Sequence, residues 1–332
     1  AAAALLRTVF VEYRDGDRQG HYDFGLELGR AMGELVRQAW EGDAELKAME
    51  EWTRSEEGRR IFQGLVGASN RSFPLYTREV EGMAAGAQIP LHRMLVNQLR
   101  EELAQWVSPN RRLGHCTDAY AVDAGAGVVA LGHNDDWDVY WRNETYLVIA
   151  TALDTEGRAK FRFGTWVYPG YLPGEQLNWN SHGLAWTCNS LFPRSFLETG
   201  VGTAWVARHM AEAQSVDDLI RRAADHRVTT AMNYNIASLE QKALWNLEVD
   251  RRCVCRPAHH RASLACQRVQ APQLPPVPGA VVHPQTATLE PAEAEQCAGH
   301  PRVLVGHRRS ALACVAQRNR RRQLLHAGYW SV

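Results

Sequence analysis

The chain has 332 residues, enough for one large domain or two small ones with a sizeable core. Its 37 Lys and Arg balance 37 Asp and Glu, so no overall field draws it to nucleic acid or to an anionic membrane. No apolar run approaches the roughly 20 residues of a spanning helix. The opening Ala1-Ala2-Ala3-Ala4-Leu5-Leu6-Arg7 has neither Met nor a basic-then-apolar signal pattern. It reads as a chain cut short at its N-terminus, with cytoplasm as the default location.

Helical periods fill the first hundred residues. Gly20-His21-Tyr22-Asp23-Phe24-Gly25 opens a helix to about residue 40, with Phe24, Leu26, Leu28, Met32, Leu35 and Val36 on one broad face. Further amphipathic stretches occupy 44–49, 61–66, 78–87 and, after Ile89-Pro90, 91–107. From Cys116 the period becomes two. Residues 117–123 and 128–132 form a hairpin across Ala124-Gly125-Ala126-Gly127. Strands follow at 146–153, 160–163 and 183–189, then a helix at 204–213. Ser215-Val216-Asp217-Asp218 has the form of a capping box and starts a second helix, ending near Asp225. Two strands, 230–239 and 243–249, close the readable part. The order is that of a layered α+β fold whose sheet-rich core begins at Cys116.

Two segments draw attention. Cys116 heads the first strand of the hairpin, in Leu113-Gly114-His115-Cys116-Thr117-Asp118. It is either a small buried hydrophobe or a nucleophile awaiting a base. His115 is no partner for it, since neighbours along a strand point to opposite faces. Gly132-His133-Asn134-Asp135-Asp136-Trp137-Asp138 ends the second strand. It is either a charged turn or a polar site that orients a substrate or binds a divalent ion. A third segment, 180–191, has polar residues at one end of a strand, Asn189 among them.

Five motifs occur in one order: Gly20-His21-Tyr22-Asp23-Phe24-Gly25, Glu81-Gly82-Met83-Ala84-Ala85-Gly86 before Pro90-Leu91, Cys116-Thr117-x-Ala119-Tyr120, Gly132-His133-Asn134-x-Asp136, and Asn180-Ser181-x-Gly183-x-Ala185. The series, over about residues 15–250, resembles the isopenicillin N acyltransferase family. That family includes the β-alanyl-dopamine and carcinine hydrolases, cysteine N-terminal-nucleophile (Ntn) hydrolases. The resemblance implies an αββα sandwich made as a precursor that cuts itself before the Cys, here between His115 and Cys116. Residues 1–115 would form a helical α chain and 116–250 the catalytic β-chain core. Family members carry Gly directly before the Cys, whereas here Gly114 stands one place further back. The resemblance also places Asp136 as an acid orienting the freed amine, Asp135 where the penicillin enzyme has Trp, and Asn134 and Asn189 as supporting residues.

The chemistry holds together without a family name. A freed α-amino group, with pKa about 7.7–8.0, takes the thiol proton itself, so no His partner is required. The thiolate attacks an amide or thioester carbonyl, and water or an amine resolves the acyl-enzyme. The expected partner is thus a small-molecule amide or acyl donor, with no cofactor, no metal, no nucleic acid and no membrane.

Composition breaks near Arg251. Residues 1–250 hold 36 Lys, Asp, Phe, Ile and Met; the last 82 residues hold none, where a uniform chain would have about 12. Instead they carry five of the seven Cys, eight of the fourteen Pro and six of the thirteen His. Cys253, Cys255, His259, His260 and Cys266 offer a zinc reading, at a spacing unlike the usual fingers and ribbons. The other reading is a frame-shifted translation from about Arg251 onward. Reading one nucleotide later, with permitted codons, turns residues 261–274 into a string containing His-Ala-Asn, similar to the segment in which the family keeps an oxyanion-hole Asn. Under that reading the chain is an impaired pseudoenzyme whose gene encodes an active one.

Overall fold

The computed structural model describes residues 7–108, 116–123, 128–135, 144–191, 193, 196–250, 281–284 and 304–307. Strand β1 (Thr8–Arg14) precedes six helices: α1 (Arg18–Gly42), α2 (Ala44–Trp52), α3 (Glu56–Ser72), α4 (Pro74–Ala87), α5 (Leu91–Gln98) and α6 (Arg100–Val107). The hairpin β2 (Thr117–Asp123) and β3 (Val128–Asn134) follows, then β4 (Tyr146–Leu153), β5 (Ala159–Val167), β6 (Leu177–Asn180) and β7 (Leu184–Leu191). Helices α7 (Thr203–Met210) and α8 (Val216–Ala224) lead to β8 (Ala231–Ser238), β9 (Ala243–Val249), β10 (Val281–Pro284) and β11 (Leu304–His307).

Local chemistry sets most of these boundaries. Asp17 caps α1 by accepting from Gly20 N at 2.9 Å, Ser55 caps α3, and Pro74 sits in the first turn of α4. Ser215 caps α8 as its sequence predicts, accepting from Asp218 N at 3.1 Å. The helix expected over 91–107 is broken at Leu99 into α5 and α6. Four strands carry no sequence expectation: β1, β6, and β10 and β11 beyond residue 250. Strand β1 buries Val11 and Tyr13 from an edge position, and β6 is too short to show a period.

An eight-stranded sheet runs β1-β4-β5-β6-β7-β8-β9-β11, antiparallel except where β1 pairs with β4. A three-stranded sheet, β10-β2-β3, faces it. Helices cover the other side, where the Phe24 ring of α1 meets Phe163 of β5 at 6.4 Å. The described residues thus form helices, large sheet and small sheet, the α+β architecture with two stacked sheets. Two short strands lie beyond residue 250: β10 pairs with β2 and β11 with β9. The proposed zinc residues, Cys253 to Cys266, lie outside the described residues.

Two of the five motifs prove to be packing devices. Helices α1 and α4 cross so closely that a Cβ on Gly25 would overlap the Glu79 carbonyl, and one on Gly82 the Tyr22 carbonyl. Between them His21 Nδ1 meets Glu79 Oε1 at 2.6 Å, both side chains fully buried. Glu79 is also gripped by Arg208 of α7, through Nε at 2.9 Å and Nη2 at 2.8 Å. Arg208 Nη2 donates in addition to the Tyr13 hydroxyl at 3.0 Å. Burial works against a charged His21, but the bonds to Asp15 and Glu79 overcome it and raise its pKa to about 9.

Candidate active site

The hairpin register builds the site. Thr117 pairs with Asn134 and Asp118 with His133, which sets Cys116 opposite Asp135. Alternation then puts Cys116 and Asp118 of one strand on the same face as His133 and Asp135 of the other. Cys116 Sγ lies 3.6 Å from Asp135 Oδ1. One ligand atom each from Cys116, His133 and Asp135 lies within 4.8 Å of the others. Sulfur, imidazole and carboxylate are donor types that hold zinc, so this trio is also where an ion would bind.

Asp118 anchors the group. It is buried, and its Oδ1 meets His133 Nδ1 at 2.9 Å. Its Oδ2 accepts from Asn235 Nδ2 at 2.7 Å and from Asn189 Nδ2, two donors reaching across from the large sheet. Asn235 is held in turn by Asn246, which donates to its Oδ1 at 2.7 Å. Burial opposes ionisation of Asp118, but the neighbouring His133 charge and these hydrogen bonds outweigh it and keep the carboxyl below its usual range. An ionised Asp118 fixes the orientation of the His133 ring, as a carboxylate does for an imidazole in a relay.

The wall beside Asp135 is aromatic. Tyr168, in the loop after β5, is buried against it. Burial first, then the charge and hydrogen bond of Asp135 and the charge of Cys116, hold the Tyr168 hydroxyl well above its usual range. The second described cysteine is of another kind. Cys188 on β7 is buried, its Sγ 3.8 Å from the Gly174 carbonyl, and burial and nearby carboxylates push its pKa well up. It is a core thiol, whereas Cys116 is half-buried.

Of the residues singled out from sequence, the structure brings Cys116, Asp135 and Asn189 together; Asn189 acts on Asp118 rather than on the thiol. Alternation turns Asn134 to the face away from His133 and Asp135. His115, Asp136 and Asp138 lie outside the described residues. Sequence reasoning missed Asp118 and the nearness of His133 to Cys116. A signal was available: a hairpin centred on residues 124–127 fixes the register, and with it these four residues on one face.

Residues 123–266 match the family model described as acyl-coenzyme A:6-aminopenicillanic acid acyl-transferase. Over 247 residues the chain is 26% identical to a beta-alanyl-dopamine/carcinine hydrolase of Drosophila melanogaster, covering 70% of this chain and 63% of that protein. The match therefore spans less than two thirds of the relative. No helix among the described residues is long and apolar enough to cross a membrane.

Proposed function

We propose that this chain, which belongs to the acyl-coenzyme A:6-aminopenicillanic acid acyl-transferase family, is a self-processing cysteine amidohydrolase or acyltransferase acting on a small acyl amide. The observation that carries the reading is the half-buried Cys116, its Sγ 3.6 Å from Asp135, on one hairpin face with Asp118 and His133. The relative's name, a hydrolase of β-alanyl-dopamine and carcinine, supports an amide as the bond attacked.

In this mechanism the precursor cuts between His115 and Cys116, and residues 1–115 and 116–250 become the α chain and the catalytic core of the β chain. The freed α-amine takes the Cys116 proton, its pKa of about 7.7–8.0 suiting it to neutral pH. The thiolate adds to the acyl carbonyl, the C–N bond breaks, and the amine leaves with the proton. A thioester to Cys116 remains. Water hydrolyses it to a carboxylic acid, or a second amine takes the acyl group. Asp136 orients the α-amine, and Asp135 and Tyr168 wall the thiol. Asn189 holds Asp118, which holds His133.

His133 favours a second reading: with Asp118 behind it and Cys116 beside it, the imidazole is itself a base, and no self-cleavage is needed. Intact-mass measurement of the purified protein separates the two. The first reading expects two chains split before Cys116, and a single unprocessed chain for Cys116→Ala with amidase activity at background. A single, uncut and active wild-type chain would transfer the base role to His133. An active Cys116→Ala would remove the nucleophile from both.

A further inference from the structure

Cys116 and Asp135 stand opposite each other at the open end of the hairpin, with Asp118 and His133 one pair further along the same face. Three donor types converge there: one ligand atom from each of Cys116, His133 and Asp135 lies within 4.8 Å of the other two. No other trio of His, Cys, Asp or Glu among the described residues comes together in this way. Zinc bonds run to about 2.3 Å for sulfur and about 2.1 Å for oxygen, which at a tetrahedral angle sets those two atoms about 3.6 Å apart. Cys116 Sγ and Asp135 Oδ1 stand 3.6 Å apart. A thiol hydrogen bond can have the same length, so the choice between the two falls to the residues behind.

A metal-binding imidazole gives its other nitrogen to a carboxylate, which fixes the ring and makes it a better ligand. Asp118 does this for His133, its Oδ1 meeting Nδ1 at 2.9 Å. The carboxylate is itself fixed by Asn235 Nδ2 at 2.7 Å and by Asn189 Nδ2, so the support reaches into the large sheet. Charge fits as well. A thiolate and a carboxylate cancel the two charges of a divalent ion, which makes burying the group tolerable. His133 and Asp135 are buried, and the half-buried Cys116 leaves an ion its way in. With sulfur among the ligands, the site selects zinc over magnesium or calcium.

We propose that Cys116, His133 and Asp135 form a zinc site that reversibly silences the enzyme by capturing its nucleophile. The proposal rests on Cys116 as that nucleophile, because an ion on any other thiol leaves turnover alone. Binding breaks the S–H bond, leaves its electron pair on sulfur to form the Zn–S bond, and releases the proton to solvent. The captured thiolate no longer attacks a carbonyl, and removal of the ion returns it. His133 Nε2 is the ligand nitrogen, since Asp118 holds Nδ1. The fourth corner of the tetrahedron goes to water in an uncut chain. In a chain cut before Cys116 it goes to the freed α-amine, which closes a five-membered ring with the sulfur. The ion thus takes the base of either reading, α-amine or imidazole, together with the thiol.

The test titrates Zn2+ by calorimetry into the chelator-treated full chain and into Cys116→Ala and Asp135→Ala, which change the two sides of the hairpin separately. The parent chain should bind one equivalent more than either variant. Co2+ in place of zinc should add a sulfur-to-metal absorption that Cys116→Ala lacks. Hydrolysis of butanoyl-4-nitroanilide should fall to background as that equivalent fills, and return with EDTA. Asp118→Asn, which loosens the ring of His133, should weaken binding about 10–100-fold. Equal stoichiometry in the parent and both variants overturns the proposal, and moves any bound ion to the Cys and His residues of 253–266. Full turnover with the site loaded overturns it too. Zinc held by the trio, together with undiminished turnover by Cys116→Ala, would instead overturn the nucleophile, and with it the silencing, while the metal site stands.

Discussion

Two buried polar clusters divide this molecule. Beneath α1, α4 and α7, each charge has a partner: Arg208 grips Glu79, Glu79 meets His21, and Tyr13 accepts from Arg208. Asp15 completes the set at the rim, near His21 Nε2 and paired with Lys160. Beside the hairpin, Glu101, Glu102 and Glu175 face one another and Asp135. Burial, with repulsion from neighbouring acids, lifts all three above the usual carboxylate range. The first cluster binds helices to the sheet. The second leaves three carboxyls without an ion pair among the described residues, in the same region as the half-buried thiol of Cys116. Equal burial thus serves opposite ends, and the difference lies in whether the chain supplies its own counter-charge.

Breaking the balanced cluster should have the largest effect on stability. Glu79→Gln removes the carboxylate that grips buried Arg208 through two nitrogens, leaving Glu212 at 3.3 Å from Nη1 as its anion, and should cost about 3 kcal/mol in urea unfolding. Glu175→Gln, which removes a buried acid with no ion pair among the described residues, should leave stability unchanged or higher; if Glu79→Gln proves as mild, the contrast between the clusters fails. Asp118→Asn tests the site side of the comparison. With the imidazole no longer held by an anion, kcat should fall about 100-fold or more, with KM little changed. Equal small losses in both constants would make Asp118 a packing residue. Gly82→Ala, which forces α1 and α4 apart, should lower stability by about 1–3 kcal/mol and leave KM unmoved.

The pH dependence is subtler. Glu102 is raised to about 7 by burial, so between about 4.5 and 7 the folded state holds more protons than the unfolded one. His21, raised to about 9, does the same between about 6.5 and 9. Stability contributed by both is complete at the acid end of each window and is lost as pH rises through it. His209, lowered to about 3 by burial, contributes with the opposite sign below about 6.5, so melting temperature should fall from about pH 6.5 to 9. Compared with the parent chain, Glu102→Gln should change the pH slope only between about 4.5 and 7, by on the order of 1–3 kcal/mol. A slope unchanged in that variant would show that Glu102 ionises freely.

Much of the fold was legible because its signals are local. Ser215 marks a helix start through a bond within one turn, and the period-two stretches after Cys116 became β2, β3, β4, β5, β7, β8 and β9. Strand β1 escaped because it sits at a sheet edge and pairs with β4, more than a hundred residues away. The break at Leu99 escaped because 91–107 reads as one amphipathic period across it.

By itself the sequence determined the helical first part, the hairpin, the thiol at its head and the ordered motifs that carry the family resemblance. Tertiary structure decided what each motif does. Gly25 and Gly82, which resemble site residues on paper, are where two helices touch. His133 and Asp118, plain members of a polar stretch, became the neighbours of Cys116 through strand register. Asn189 and Asn235 reached Asp118 only because two sheets stack. Glu101, Glu102 and Glu175 look like ordinary surface acids in one dimension, since charge in sequence says nothing about burial. Their burial is a property of packing among distant segments.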